Sequence, residues 1–287
     1  MSGSALRAQI AAGSLLAMPG VYDALSALLA ERAGFKSVFL SGSALSFAQL
    51  GRPDLGLLSA TELVLACERI AERVSIPVFV DADSGYGSIA NLARLVGQLE
   101  RAGAAGVQIE DQEPVKPADA LASRPVIATG AMVGKIKAAQ DARRDPSLVI
   151  SARTDAAFTL GPEEAIARAV AFVEAGADVI FVEGLKSRPD IEALSAAVGG
   201  RTPLLFNWLD QAAIALAPPD WLSSLGFRIG LLPGLAVQAA AAGAQSALAA
   251  GAADPAAGLA HLAGLDFPMA EVVGAQALLA RFRTGAG

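Results

Sequence analysis

The feature that most narrows the fold is a repeated beat. Short β-rich runs stand at Leu15–Met18, Ser37–Leu40, Val78–Val80, Val107–Ile109, Leu148–Ser151, Val179–Val182, Pro203–Phe206 and Arg228–Leu231. Between them lie longer segments of helical pattern, among them Ala60–Arg73, Ile89–Arg101, Thr129–Ala142 and Pro162–Glu174. Ala33-Gly34, Ala102-Gly103 and Ala175-Gly176 each precede the next run by a few residues, where a left-handed helix terminus is expected. Pro162, followed by Glu163 and Glu164, suits a first helical turn at the positive end of the dipole. Eight β-then-α units in about 250 residues predict an α/β fold, a (β/α)8 TIM barrel. A doubly wound open sheet shares the local pattern, but no G-x-G-x-x-G follows the first run. After Ala250 the beat stops. The expected division is therefore a catalytic barrel over residues 1–250 and a helical extension over 251–287 that packs against another subunit.

Composition excludes several classes of function. With 54% hydrophobic and 17% charged residues, the 287-residue chain has the makings of a large core and is not disordered. A net charge of −6 gives no footprint for a nucleic-acid backbone. One cysteine, Cys67, and one histidine, His261, leave no disulfide framework, no cysteine-rich zinc site and a poor basis for a Ser-His-Asp hydrolase. The N-terminal stretch lacks the charge and the continuous apolar run of a secretory signal, so a cytoplasmic location is expected. Arg228 to Asp254 is charge-free between its ends, but Pro233, Gln238, Gln245 and Ser246 and an alanine-glycine bulk favour a buried strand and a packing helix over a membrane span.

In such a barrel, reactive residues stand at the C-terminal ends of strands and in the loops that follow. Here those positions are unusually acidic. Asp81-Ala82-Asp83 follows the third run, Glu110-Asp111-Gln112 the fourth, Arg153-Thr154-Asp155 the fifth, Glu183-Gly184 the sixth and Asn207 the seventh. Carboxylates converging on one mouth repel each other unless a cation sits among them. Oxygen ligands without cysteine or histidine favour Mg2+, with Mn2+ as the substitute. Strand alternation would put Asp81 and Asp83 on one side; the plainer reading makes them caps of the next helix.

Eight motifs in order then carry a family likeness: MPGVYDALSA at Met18–Ala27, SGSALS at Ser41–Ser46, LGRPDLG at Leu50–Gly56, DADSGYG at Asp81–Gly87, GVQIEDQ at Gly106–Gln112, KIKAA at Lys135–Ala139, ARTDA at Ala152–Ala156 and FVEG at Phe181–Gly184. Through them the chain resembles the isocitrate lyase and phosphoenolpyruvate mutase superfamily from about Met18 to Leu232. The resemblance implies a Mg2+-dependent enzyme of small 2-oxo or 2-hydroxy carboxylates, in a tetramer built as a dimer of dimers whose paired subunits exchange the last helix. By position Asp81 would ligate the metal directly, with Asp83, Glu110 and Asp54 holding it mostly through water. Ser41, Gly42 and Ser43 would receive the substrate carboxylate, Arg153 would neutralise it, and Glu183 and Asn207 would complete the wall. An ion pair of Arg153 with Asp155 or Glu183 is the competing structural role.

Two departures bear on the reaction. Lyases of the family carry a Lys-Lys/Arg-Cys-Gly-His loop, whereas the corresponding stretch reads Lys116-Pro117-Ala118-Asp119-Ala120. Cys67, within a helical pattern, reads as a core thiol, and His261 lies in the tail. Cleaving isocitrate or methylisocitrate leaves a carbanion that needs a positioned acid, worth roughly 10²- to 10⁴-fold. Decarboxylating oxaloacetate leaves CO2 and a pyruvate enolate, which the cation stabilises and a water can protonate. No asparagine lies between Gln112 and Thr129, which counts against the phosphonate-forming branch. The seventh loop, Asn207-Trp208-Leu209-Asp210, lacks the relatives' Asn-x-Thr-Glu pattern; Trp208 or Leu209 would narrow the distal pocket, or Trp208 would anchor an interface. The expectation is a carbon-carbon lyase of a small 2-oxo dicarboxylate, foremost an oxaloacetate decarboxylase. A 2-hydroxy acid lyase, a P-C bond enzyme and a non-catalytic dicarboxylate-binding barrel are the alternatives.

Overall fold

The computed structural model describes residues 3–114 and 123–284. Eight parallel strands close in chain order: β1 Leu16–Val21, β2 Val38–Leu40, β3 Val78–Asp81, β4 Gly106–Glu110, β5 Val149–Thr154, β6 Val179–Val182, β7 Leu204–Asn207 and β8 Phe227–Leu232. β8 pairs with β1, Leu16 opposite Ile229 and Pro19 opposite Leu232. That closure leaves no free edge and decides the barrel over the open sheet.

The helices are α1 Gly3–Ala11, α2 Ala24–Arg32, α3 Gly42–Leu50, α4 Ala60–Arg73, α5 Ile89–Arg101, α6 Thr129–Ala142, α7 Pro162–Glu174, α8 Arg188–Val198, α9 Gln211–Leu216 and α10 Pro219–Ser224, then α11 Leu235–Ala253, α12 Pro255–Leu265, α13 Met269–Val272 and α14 Ala275–Thr284. Local chemistry sets their ends. The Ser59 hydroxyl caps α4 while Glu62 accepts from the Ser59 amide, and Ser88 with Asn91 does the same for α5. Gly34, Gly103 and Gly176 take φ near +95° just past α2, α5 and α7.

Alternation along each strand separates two cores. Val38, Leu40, Val78, Val80, Val107, Ile109, Ile150 and Ile180 pack outward against Leu63, Cys67, Ile70, Leu92, Leu95, Ile136 and Phe172 of the helices. Met18, Phe39, Phe79, Val149, Val179, Phe181, Leu205, Ile229 and Leu231 fill the barrel interior together with Leu6 and Ile10 of α1. The same alternation then sets the mouth. Two residues after Phe39 comes Ser41, after Phe79 comes Asp81, after Phe181 comes Glu183 and after Leu205 comes Asn207.

The chain forms two compact units, Met1–Gly234 and Leu235–Gly287. The first holds all eight strands; the second holds α11 to α14, so the alanine-rich helix after β8 falls in it. No residue of α11 or α12 is buried. Among the described residues no helix is long and apolar enough to cross a membrane.

Cys67 lies on the buried face of α4, its thiol 3.9 Å from the Ala102 carbonyl. Burial foremost, and the charge of Glu68, push the thiol up to about 12. Cys67 is therefore expected to ignore a thiol reagent at pH 8 in the native protein and to react only as denaturant unfolds it, which an absorbance assay of released thiolate would follow.

Candidate active site

A cavity of about 530 Å³ opens at the C-terminal ends of the strands. Ser41, Ser43, Asp54, Asp81, Asp83, Glu110, Arg153, Glu183 and Asn207 line it, so the structure brings the candidate site residues to one place. Gly42 belongs with them. A Cβ on Gly42 would stand 3.5 Å from Asp81 Oδ2 and 3.6 Å from Asp83 Oδ2, so the chain passes close against the acidic pair.

Carboxylate oxygens of Asp81, Asp83 and Glu110 all lie within 4.8 Å of one another. Three hard oxygen donors that close to each other suit a divalent cation, which would offset their mutual repulsion. Neither aspartate caps a helix, since Ser88 caps α5. Nor does simple alternation unite them. β3 ends at Asp81, and Asp83 takes φ +45°, a left-handed conformation that folds its side chain back toward Asp81. Tyr86 follows at φ +56°, its hydroxyl 3.3 Å from Asp83 Oδ2. Burial foremost, then the charges of Asp83 and Asp81, raise the Tyr86 phenol far above its ordinary range, so it stays a hydrogen-bond donor.

Arg153, 13% exposed, lies among acids. Its guanidinium stands 2.9 Å from Asp155, 3.3 Å from Glu110 and 3.9 Å from Glu183, with its centre 5.1 Å from the Phe181 ring. Burial works against its charge, but Asp155, Glu110, Glu183 and Asp81 together outweigh that and raise its pKa well above the ordinary value. The ion pairs read from the sequence as a structural role are thus present. They leave the guanidinium facing the cavity, and both roles fall on one side chain. The Asn207 amide donates to Glu183 at 2.9 Å, while its oxygen has no partner among the described residues. Ser41 is the N-cap of α3 and lies 3.1 Å from the Ser43 hydroxyl, so two hydroxyls and a helix N-terminus meet at the acidic end.

The structure also places residues to which the sequence reading gives no individual role. Arg124 lines the cavity, its guanidinium 4.5 Å above the Phe158 ring and 3.5 Å from Asp155. Gln108 also lines the cavity and is buried, and among the described residues neither of its amide atoms has a partner. Asp111 points away from the cavity and acts as a strut. It accepts from the Thr154 hydroxyl at 2.7 Å, the Asp155 amide at 3.0 Å and Arg168 at 3.0 Å, fixing the segment that carries Arg153. Arg168 also donates to the Ile127 carbonyl at 2.7 Å. Arg168→Leu strands the Asp111 charge, and the expected cost is about 3–5 kcal/mol in urea unfolding; a loss below about 1 kcal/mol would show that the pair is not a strut.

Trp208 neither narrows the cavity nor anchors a surface: it is buried behind β7, its indole donates to the Ala217 carbonyl at 2.9 Å, and its ring fills the space that a side chain at Gly230 would need. Leu209 is the residue that lines the cavity. His261 lies in α12. The stretch Lys116 to Ala120 lies outside the described residues.

The sequence profile described as phosphoenolpyruvate phosphomutase matches residues 6–252. The chain is 40% identical over 246 residues to the oxaloacetate decarboxylase of Rhodopseudomonas palustris, covering 86% of this chain and 83% of the relative. It is 37% identical over 228 residues to the 2,3-dimethylmalate lyase of Eubacterium barkeri, covering 79% and 78%. A solved structure of oxaloacetate acetylhydrolase with the inhibitor 3,3-difluorooxalacetate matches with a TM-score of 0.90 and 31% identity, over 100% of this chain and 98% of that one. With the eight strands inside the matched span and relatives named as lyases, the chain belongs to the phosphoenolpyruvate mutase and isocitrate lyase superfamily and is an enzyme, a carbon-carbon lyase.

Proposed function

We propose that the protein decarboxylates a small 2-oxo dicarboxylate, foremost oxaloacetate, with Mg2+ as the working cation and Mn2+ as a substitute. The observation that carries the reading is the three-carboxylate cluster facing Arg153 across one cavity. Asp81, Asp83 and Glu110 would hold the ion, with Asp54 on the cavity wall beside them. The ion supplies Lewis-acid electron withdrawal from a chelated 2-oxo acid. The residues do the rest. Ser41, Ser43 and the α3 N-terminus at Gly42 receive the C1 carboxylate, and Arg153 neutralises it and fixes its plane. Glu183 and Asn207 bound the pocket toward β7, and Phe47, Leu55 and Leu209 limit water at the rim.

Decarboxylation is favoured over 2-hydroxy acid cleavage by proton supply. In sequence the stretch Lys116 to Ala120 holds neither cysteine nor histidine, and Cys67 is buried on α4, which supports a reaction whose enolate takes its proton from water over one that needs a positioned thiol acid.

The test incubates purified protein with oxaloacetate and Mg2+, subtracts the metal-only rate, and identifies products. Pyruvate and CO2 in equal amounts, abolished by EDTA, are expected. Oxalate with acetate would replace decarboxylation by hydrolysis. A glyoxylate or pyruvate product with a second dicarboxylate, from a 2-hydroxy acid, would favour the lyase reading. Tight Mg2+-dependent oxalate binding without turnover on any diacid would favour a binding barrel.

A homo-oligomer, a dimer of dimers, belongs to the same proposal. Leu248, Leu259, Leu262, Leu265 and Phe267 of the second unit are exposed in the single chain, the composition of a subunit contact. Light scattering at micromolar protein should give a tetramer mass; a monomer would remove this part.

A further inference from the structure

Among the described residues, three buried polar atoms on the strands beneath the carboxylate cluster have no partner: Nε2 and Oε1 of Gln108 and Oγ of Ser151. Gln108 is 1% exposed and Ser151 fully buried. The two residues are register partners on β4 and β5, and Gln108 is also the register partner of Asp81 on β3. Each lies two residues before a site residue on its own strand, Gln108 before Glu110 and Ser151 before Arg153. Gln108 lines the cavity together with Phe39, Phe181 and Leu231 of the barrel interior, and Ser151 lies beside it on the next strand. Neighbouring strands bring such side chains within reach of one another, yet the amide and hydroxyl do not bond. A buried amide left unmatched is costly, and an apolar residue of the same shape would remove that cost. Such a group is retained where a small polar molecule completes it, and an internal water needs two to four partners of this kind.

We infer that Gln108 and Ser151 hold one ordered water below the carboxylate cluster, and that this water protonates the enolate carbon. The inference rests on the proposed 2-oxo acid reaction. There the C3–C4 bond breaks, its electron pair enters the enolate and C4 leaves as CO2. C3 then takes a proton from the water, forming a C–H bond. The O–H pair stays behind as hydroxide, which regains a proton from solvent, so one proton is consumed per turnover and nothing is oxidised or reduced. Gln108 and Ser151 are positioning residues in this step.

The proton step can be read in reverse, without carbon-carbon cleavage, as exchange of the pyruvate methyl protons in D2O with Mg2+, followed by NMR. Gln108→Leu is expected to slow exchange by about 10²-fold, while oxalate affinity with Mg2+ stays within roughly threefold. The metal-free thermal midpoint should be unchanged or higher, because an apolar residue of similar shape needs neither a polar partner nor an immobilised water. Ser151→Ala should slow exchange and Ser151→Thr should restore it. Exchange at the parental rate in both Gln108→Leu and Ser151→Ala would overturn the inference. So would parallel losses of exchange and oxalate affinity, which would make Gln108 a direct substrate contact. A parent protein that decarboxylates oxaloacetate yet exchanges no pyruvate protons overturns the water alone. A parent that neither decarboxylates nor binds oxalate sinks the reaction it rests on.

Discussion

Asp81→Asn is expected to lower cation-dependent turnover by on the order of 10³-fold, because it keeps the volume of the side chain and removes one of the three clustered charges. Asp81 closes β3 and shares its carboxylate neighbourhood with Asp83 and Glu110. Without a cation these groups repel one another, so removing one charge should raise the metal-free thermal midpoint by about 2–4 °C if it relieves ~1 kcal/mol. The rise in midpoint that saturating Mg2+ gives the parent should vanish. Opposite changes in stability and activity separate a metal ligand from a structural carboxylate. Loss of both would assign Asp81 to the fold, and turnover within threefold of the parent would remove it from the site.

Arg153→Leu should be the most damaging single change in the wall. Asp155, fully buried, loses its 2.9 Å partner and among the described cations keeps Arg124 at 3.5 Å, so about 3–5 kcal/mol of stability is expected to go in urea unfolding. Arg153→Lys keeps the charge and loses the planar fork. It should recover most of the stability while leaving turnover about 10²-fold down and oxalate affinity weakened, since a carboxylate is then held by a point charge. The raised pKa of Arg153 keeps it cationic throughout the working range, so any basic limb in the pH profile of the parent belongs to another group. Full turnover in that variant would assign Arg153 to structure alone.

Much of this was legible in the residues because the period of a strand is short. Four helices, Ala60–Arg73, Ile89–Arg101, Thr129–Ala142 and Pro162–Glu174, have the bounds their pattern predicts; Gly103 and Gly176 follow the second and the fourth, Pro162 opens the fourth, and α6 has no side-chain cap at all. The carboxylates converge because barrel closure gives strand ends a common destination, as the order of the motifs implied. Asp83 converges for a reason alternation does not contain, a left-handed turn. Arg168 was missed, although it carries a signal: it sits on the apolar stripe of α7 with Ala165, Ala169 and Phe172, where a charge must have a buried partner. That partner, Asp111, is 57 residues away and no local pattern names it. Gln108 is harder still. An amide inside a strand reads as ordinary until the structure shows that neither of its atoms is satisfied.

The central claim is that clustered carboxylates hold a cation that, with Arg153, binds a 2-oxo acid. Calorimetric titration of oxalate, a mimic of the pyruvate enolate, into the protein with Mg2+ and again with EDTA tests it most directly. The account predicts one site per chain and an affinity at least about 10²-fold higher with the ion, a coupling of ~2.7 kcal/mol. Equal affinity in EDTA, or no binding in either, would contradict it.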